Sequence, residues 1–164
     1  MRRILSLAKQ LKTQYSQKKI INQYQVRHLI ARNMTSSSEE DKAKLATDTG
    51  EETIFDKIIR KEIPSTVVFE DDDVLAFRDV SPQAPTHILL IPKVRAGLTR
   101  ISNAVESHQQ ILGKLMYTAS VVAKQEKLDN GYRLVINDGV EGCQSVYHLH
   151  VHLIGGRQLT WPPG

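Results

Sequence analysis

"HLHVHLIGG", residues His148 to Gly156, places a histidine at every second position and ends on two glycines. In a β-strand, residues two apart share a face at roughly 6.6 Å spacing. His148, His150 and His152 are therefore expected to point one way, while Leu149, Val151 and Leu153 point into a core. One side of this strand builds the fold and the other is free for chemistry.

Upstream, "STVVFE", "VLAFRDV" and "THILLIP" read as strands, the first two joined by an acidic turn around Asp71 to Asp73. "YRLVIN" and "VYHLHVHLI" bring the number of strands to five. "TIFDKIIRKEI" sets Ile54, Phe55, Ile58 and Ile59 at helical spacing and stops before Pro64. Asn103 and Glu106 form a capping-box arrangement, which predicts a long helix with Ile111, Leu112, Leu115, Met116, Ala119 and Val122 on its apolar face. Asn130 and Gly131 close it. The order helix, three strands, helix, two strands predicts an antiparallel α+β domain and argues against a βαβ repeat.

The chain of 164 residues has the size of one domain plus a tail. Its net charge of +4 is unevenly placed. Residues 1–38 hold eight basic groups and no acid, which leaves 14 basic against 18 acidic residues from Glu39 onward. The body thus lacks the basic face that nucleic acid requires, and no apolar run of eighteen residues predicts a membrane span. Residues 1–33, rich in Arg and Lys and weakly amphipathic, have the composition of a mitochondrial or plastid transit peptide. The alternative is a disordered basic arm, or leader sequence before a second start at Met34 that leaves the protein in the cytoplasm or nucleus. Residues 34–52 are small and polar and read as a flexible linker, so the folded domain is expected to span 53–164.

A single cysteine, Cys143, excludes an intrachain disulfide and a cysteine cluster for zinc. On a regular strand His148 and His152 lie roughly 13 Å apart, too far for all three histidines to share one metal. The acidic run Glu70 to Asp73 reads as a solvated turn, since adjacent carboxylates alternate faces and repel. Phosphate chemistry suits the histidines better. "NDGVEGCQSVYH" brings Asn137, Gly139, Gly142, Gln144 and Ser145 just ahead of them, offering N–H groups, amides and a hydroxyl to anionic oxygens. A neutral imidazole can attack phosphorus, and neighbouring imidazole N–H groups can neutralise the transition-state oxygens.

With these residues in place, "QSVYHLHVHLIGGRQLTWPPG" resembles the signature of the histidine triad (HIT) superfamily, in its Hint nucleotide-binding branch. "TIFDKIIRKEIP", "AFRDVSPQAPTH" and "INDG" are similar to that branch in the same order, over about residues 53–164. The resemblance implies a HIT-like homodimer, each subunit with a five-stranded antiparallel sheet and two helices. It implies hydrolysis of purine nucleoside phosphoramidates, AMP joined to an amine, with no cofactor required and no metal in the chemistry. His150 is implied as the nucleophile that becomes adenylylated, His148 as the group that orients it, and Ser145 as the donor beside the leaving amine. Asp79 is implied for the ribose, with Ile54, Phe55, Ile58, Phe77 and Val80 around the purine. Asn137, Ser145 and His152 are implied for the α-phosphate, with Cys143 and Gln144 in the same loop. His87 joins the polar cluster, and Trp161 reaches the partner subunit's site.

Two positions depart from the family pattern. Cys143 stands where many members carry glycine, and Arg78 where histidine is common, adding a fixed charge expected near the nucleotide. Two further functions remain open from sequence. The same adenylyl-histidine could release sulfate or a second nucleotide, as in adenylyl sulfate or dinucleotide hydrolysis. Alternatively, the chain is a nucleotide- or zinc-binding regulatory module.

Overall fold

The computed structural model describes residues 38–163, so the basic segment read as a transit peptide lies outside the described residues. Five strands form one sheet: β1 (Val67–Glu70), β2 (Val74–Arg78), β3 (Thr86–Pro92), β4 (Tyr132–Val135) and β5 (Val151–Gly155). Their spatial order is β1-β2-β3-β5-β4, with every neighbouring pair antiparallel. The β3 sequence "THILLIP" is buried along its whole length, which suits the middle of a sheet covered on both faces.

Register divides the sheet residues between two cores. On one face Val74, Ala76, Ile88, Leu90, Val151 and Leu153 meet Leu115, Ala119, Val122 and Ala123 of a long helix. On the other, Leu75, Phe77, Leu89 and Ile91 pack under Phe55 from the short helix Ile54–Ile59. Leu89 pairs with His152, so the second core continues directly into the histidine face. Burying each large aliphatic side chain stabilises the sheet by roughly 1.5–3 kcal/mol, which makes the histidine face part of a stiff plate.

Three features differ from expectation. The segment 34–52, expected to be a flexible linker, contains a helix, α1 (Glu39–Leu45), so the described residues hold three α-helices where two were expected. Ser38 accepts from the Asp41 N–H in a capping box, and Ala43 is fully buried. The helix Ile54–Ile59 is then α2, capped by the reciprocal Thr53–Asp56 pair.

The long helix α3 spans Gln109–Gln125, beginning six residues after Asn103. Asn103 and Glu106 instead sit in two 3₁₀ turns, separated by Ala104 in an extended conformation. The Val105 N–H donates to His108 Nδ1 at 3.1 Å, so an imidazole takes the role expected of the Glu106 carboxylate. Finally, β5 starts at Val151, leaving His148 and His150 outside the ladder. There the Leu149 N–H donates to the Leu98 carbonyl, and the Pro92 carbonyl accepts from the His148 imidazole, diverting the groups that would extend pairing.

Candidate active site

Strand β3, its partner β5 and the segment just before β5 bring four imidazoles together. The ring centres of His150 and His152 are 5.0 Å apart, and those of His87 and His152 are 5.2 Å apart. Phe55 presents its edge-on contacts to His148 and His150 at 5.8 and 5.2 Å, supporting both rings from α2.

Hydrogen bonds fix which nitrogen of each ring carries the proton. His148 donates from Nε2 to the Pro92 carbonyl at 2.7 Å. His150 donates from Nδ1 to the His148 carbonyl at 2.8 Å, which leaves its Nε2 lone pair unengaged. The link between the two histidines therefore runs from the His150 ring to the His148 backbone carbonyl. The Gln83 N–H donates to His87 Nδ1 at 3.2 Å, so His87 carries its proton on Nε2. That Nε2 donates to His152 Nδ1 at 2.9 Å, placing the His152 proton on Nε2, a buried atom with no protein partner.

Burial keeps these rings neutral. Loss of hydration pulls His148 down to about 4 and His152 down to about 3, and it lowers His150 and His87 from 6.5 as well. Asp56 Oδ1 lies 3.8 Å from His148 Nδ1, beyond hydrogen-bond distance, and its charge only partly offsets the desolvation.

The remaining candidates divide. Asp79 Oδ1 accepts from the Ser81 N–H at 2.7 Å, while Oδ2 lies 3.5 Å from His87 Nε2, on the histidine face. Among the apolar candidates, Phe55 and Phe77 are buried, Ile58 is half-buried, and Ile54 and Val80 are exposed, Val80 at 99%. Asn137 donates to the Cys143 carbonyl at 3.2 Å, closing the loop before Ser145. Trp161 is 85% exposed in a single chain.

Two expectations change. Gln144 is fully buried: Oε1 accepts from the Gly139 N–H at 3.0 Å, and Nε2 donates to the carbonyls of Thr99 and Val146 at 2.8 and 3.1 Å. Its amide is spent on bracing the loop. Arg78 pairs across the sheet with Ile88, on the α3 side, and binds Glu126 at 2.8 Å. Its charge therefore does not add to the histidine face.

The loop itself needs its glycines, since a Cβ at Gly142 would collide with the Asp138 carbonyl. Asp138 in turn is held by Arg100 and by the Ser102 N–H at 2.7 Å. Cys143 adopts a left-handed φ of 59°, the conformation that glycine takes most readily.

Sequence reasoning missed Glu39. Its Oε2 accepts the Ser145 hydroxyl proton at 2.6 Å, and Lys42 holds its other oxygen at 2.7 Å. The signal was the "SSEED" run, whose Ser38 and Asp41 have capping-box spacing. It also missed a compact ligand set: Asp79, His87 and His152 offer donor atoms within 4.8 Å of one another. This differs from the three alternating histidines weighed above. The acidic residues Glu70, Asp71 and Asp73 are engaged instead by Lys93 and Lys114.

Comparison with known proteins agrees with this geometry. The family model described as HIT domain matches residues 60–159. Adenylylsulfatase HINT1 of Arabidopsis thaliana is 66% identical over 137 residues, covering 84% of this chain and 93% of that protein. The 14 kDa zinc-binding protein of Zea mays is 67% identical over 127 residues, 77% of this chain and 99% of that one. Among solved structures, a HIT family hydrolase from Legionella pneumophila superposes with a TM-score of 0.66 at 49% identity, covering 69% of this chain and all of that one. With its α+β sheet, its alternating histidines and these relatives, the chain belongs to the HIT domain family.

Proposed function

We propose that the protein hydrolyses adenylyl conjugates through an adenylyl-histidine intermediate, with AMP–amine phosphoramidates as substrates. One observation carries this reading. The bond from His150 Nδ1 to the His148 carbonyl leaves Nε2 as a free lone pair, next to the unpartnered Nε2–H of His152.

In the first step His150 Nε2 forms a bond to the α-phosphorus while the phosphorus–nitrogen bond breaks. The departing amine takes that electron pair and a proton, for which Ser145 is the adjacent donor. His152 Nε2–H stabilises the charge that grows on a phosphoryl oxygen. Water then attacks the same phosphorus, giving a proton back to Ser145 while the phosphorus–histidine bond breaks, which releases AMP and restores His150. Asp79 holds the ribose hydroxyls, and Ile54, Phe55, Ile58, Phe77 and Val80 border the base. A cavity of about 240 Å³ beside Ser145, lined by Thr49, Glu51, Arg95 and Tyr147, gives the leaving group room. The active form is a homodimer in which the exposed Trp161 reaches the partner's site.

The test is to incubate full-length protein with an AMP–amine conjugate, quench without acid, and seek added AMP mass on the His150 peptide. We expect adduct in the wild type and none in His150→Ala, which still binds AMP. Unchanged turnover by His150→Ala would rule the mechanism out.

Similarity to an adenylylsulfatase favours the same intermediate with sulfate as the leaving group. Sulfate departs without a proton, so Ser145→Ala slows amine release far more than sulfate release under this chemistry. Equal losses for both substrates would remove Ser145 as the proton donor.

The Asp79, His87 and His152 cluster supports a second reading, zinc binding. Zinc bound there would take His87 Nε2, His152 Nδ1 and an Asp79 oxygen, with the His87 proton moved to Nδ1 and the Gln83 N–H contact given up. Equilibrium dialysis checks this: retention that disappears in both His87→Ala and Asp79→Asn supports the site, and retention unaffected by either removes it.

A further inference from the structure

The hydroxyl of Ser145 faces the place proposed for the substrate's phosphate, yet in this structure a carboxylate of the same chain takes it. Glu39 Oε2 accepts that proton at 2.6 Å. Glu39 is one of the first residues of α1, outside the stretch matched by the family model. The helix is anchored by more than this bond. Ala43 is fully buried, and Asp48, just beyond the helix, accepts from Thr99 Oγ1 at 2.6 Å. Lys42 holds Glu39 Oε1 at 2.7 Å from the next turn.

A carboxylate and a phosphoryl group share the feature that matters here, negative oxygens that accept from hydroxyl and imidazole donors. We propose that α1 is an internal strap whose Glu39 carboxylate stands in for the substrate phosphate at Ser145 and must be displaced before a nucleotide phosphate can bind. The charge of Glu39 also acts on His87, His150 and His152, which places it within the electrostatic reach of the whole cluster. Like charges cannot share that position, so strap and phosphate exclude one another. The strap therefore opposes ligands in proportion to their charge near Ser145 and is indifferent to an uncharged nucleoside. The inference rests on the proposed binding of a nucleotide phosphate at this serine.

Calorimetric titration of full-length wild type, Glu39→Ala and Glu39→Gln with AMP and with adenosine tests it. Removing the carboxylate is expected to tighten AMP about tenfold and to leave adenosine unchanged, with Glu39→Gln also tightening AMP. Steady-state kinetics should show a lower KM for an AMP–amine with kcat unchanged. Equal AMP affinity in wild type and Glu39→Ala overturns the strap while leaving the nucleotide reading intact. Equal tightening of AMP and adenosine also overturns it, because the helix would then act as a simple steric cover. A fall in kcat at saturating substrate overturns it by giving Glu39 a part in the chemistry. If none of the three proteins binds AMP, the strap falls together with the nucleotide reading.

Discussion

Nε2 of His87 lies 2.9 Å from Nδ1 of His152, joining the middle strand of the sheet to the histidine strand. Because His87 Nδ1 already accepts from the Gln83 backbone, the bond runs one way and puts the His152 proton on Nε2, which has no protein partner. His87→Phe removes that donor and frees His152 to adopt either tautomer. Turnover of an AMP–amine should fall on the order of tenfold to a hundredfold, with a smaller change in KM. His87→Gln, which keeps an N–H donor, should retain more activity. Equal kcat in wild type and His87→Phe would show that this bond does not serve the reaction.

The loop before Ser145 depends on one buried amide. Gln144→Ala strands the Gly139 N–H and the Thr99 carbonyl inside the protein, and should cost about 3 kcal/mol. Urea denaturation at neutral pH measures it. A loss below about 0.5 kcal/mol would mean water replaces the amide.

Cys143 sits at φ 59°, where a side chain is strained. Cys143→Gly should be neutral to about 1 kcal/mol stabilising, whereas Cys143→Val should destabilise by more than about 1 kcal/mol. Comparison of melting temperatures separates the two outcomes, and a destabilised glycine variant would contradict the backbone argument.

Burial holds His148 near 4 and His152 near 3, so both are neutral in the native state at pH 7. As pH falls below 6.5 the unfolded chain takes up protons that the native chain refuses. Stability is therefore complete above about 6.5 and declines on the way to 4, by on the order of a few kcal/mol. Carboxylates held low by partners, such as Asp56 and Asp138, contribute only at still lower pH. Urea midpoints at pH 7.5, 6 and 4.5 should fall in that order; a flat profile would show that the histidines protonate within the fold.

Alternation made the sheet legible. The three histidines fix a period of two, "THILLIP" reads as a strand buried on both faces, and the structure keeps the expected faces even where the histidines leave the ladder. What escaped was set by partners distant in sequence. Gln144 has the composition of an anion cradle, and only the positions of Thr99 and Gly139 turn it into a brace. Arg78 falls on the α3 side by strand register, and its partner there, Glu126, lies 48 residues away. The polarity of residues 34–52 hid α1, because its folding rests on a cap and one buried alanine, with no apolar stripe. The three alternating histidines and Ser145 were nominated by residue type and spacing, and Asp79 and His87 by the family resemblance, but the proton arrangement within the cluster depended on carbonyls at Pro92 and His148.

The donor that sets the His87–His152 polarity is a main-chain amide, at Gln83. Every residue except proline supplies that group, so position 83 can vary in lineage after lineage without disturbing the proton order two residues deeper in the site. Directed evolution by side-chain replacement has no handle there. At position 83 only proline would erase the instruction, making this exposed loop position permissive to nineteen amino acids and closed to one.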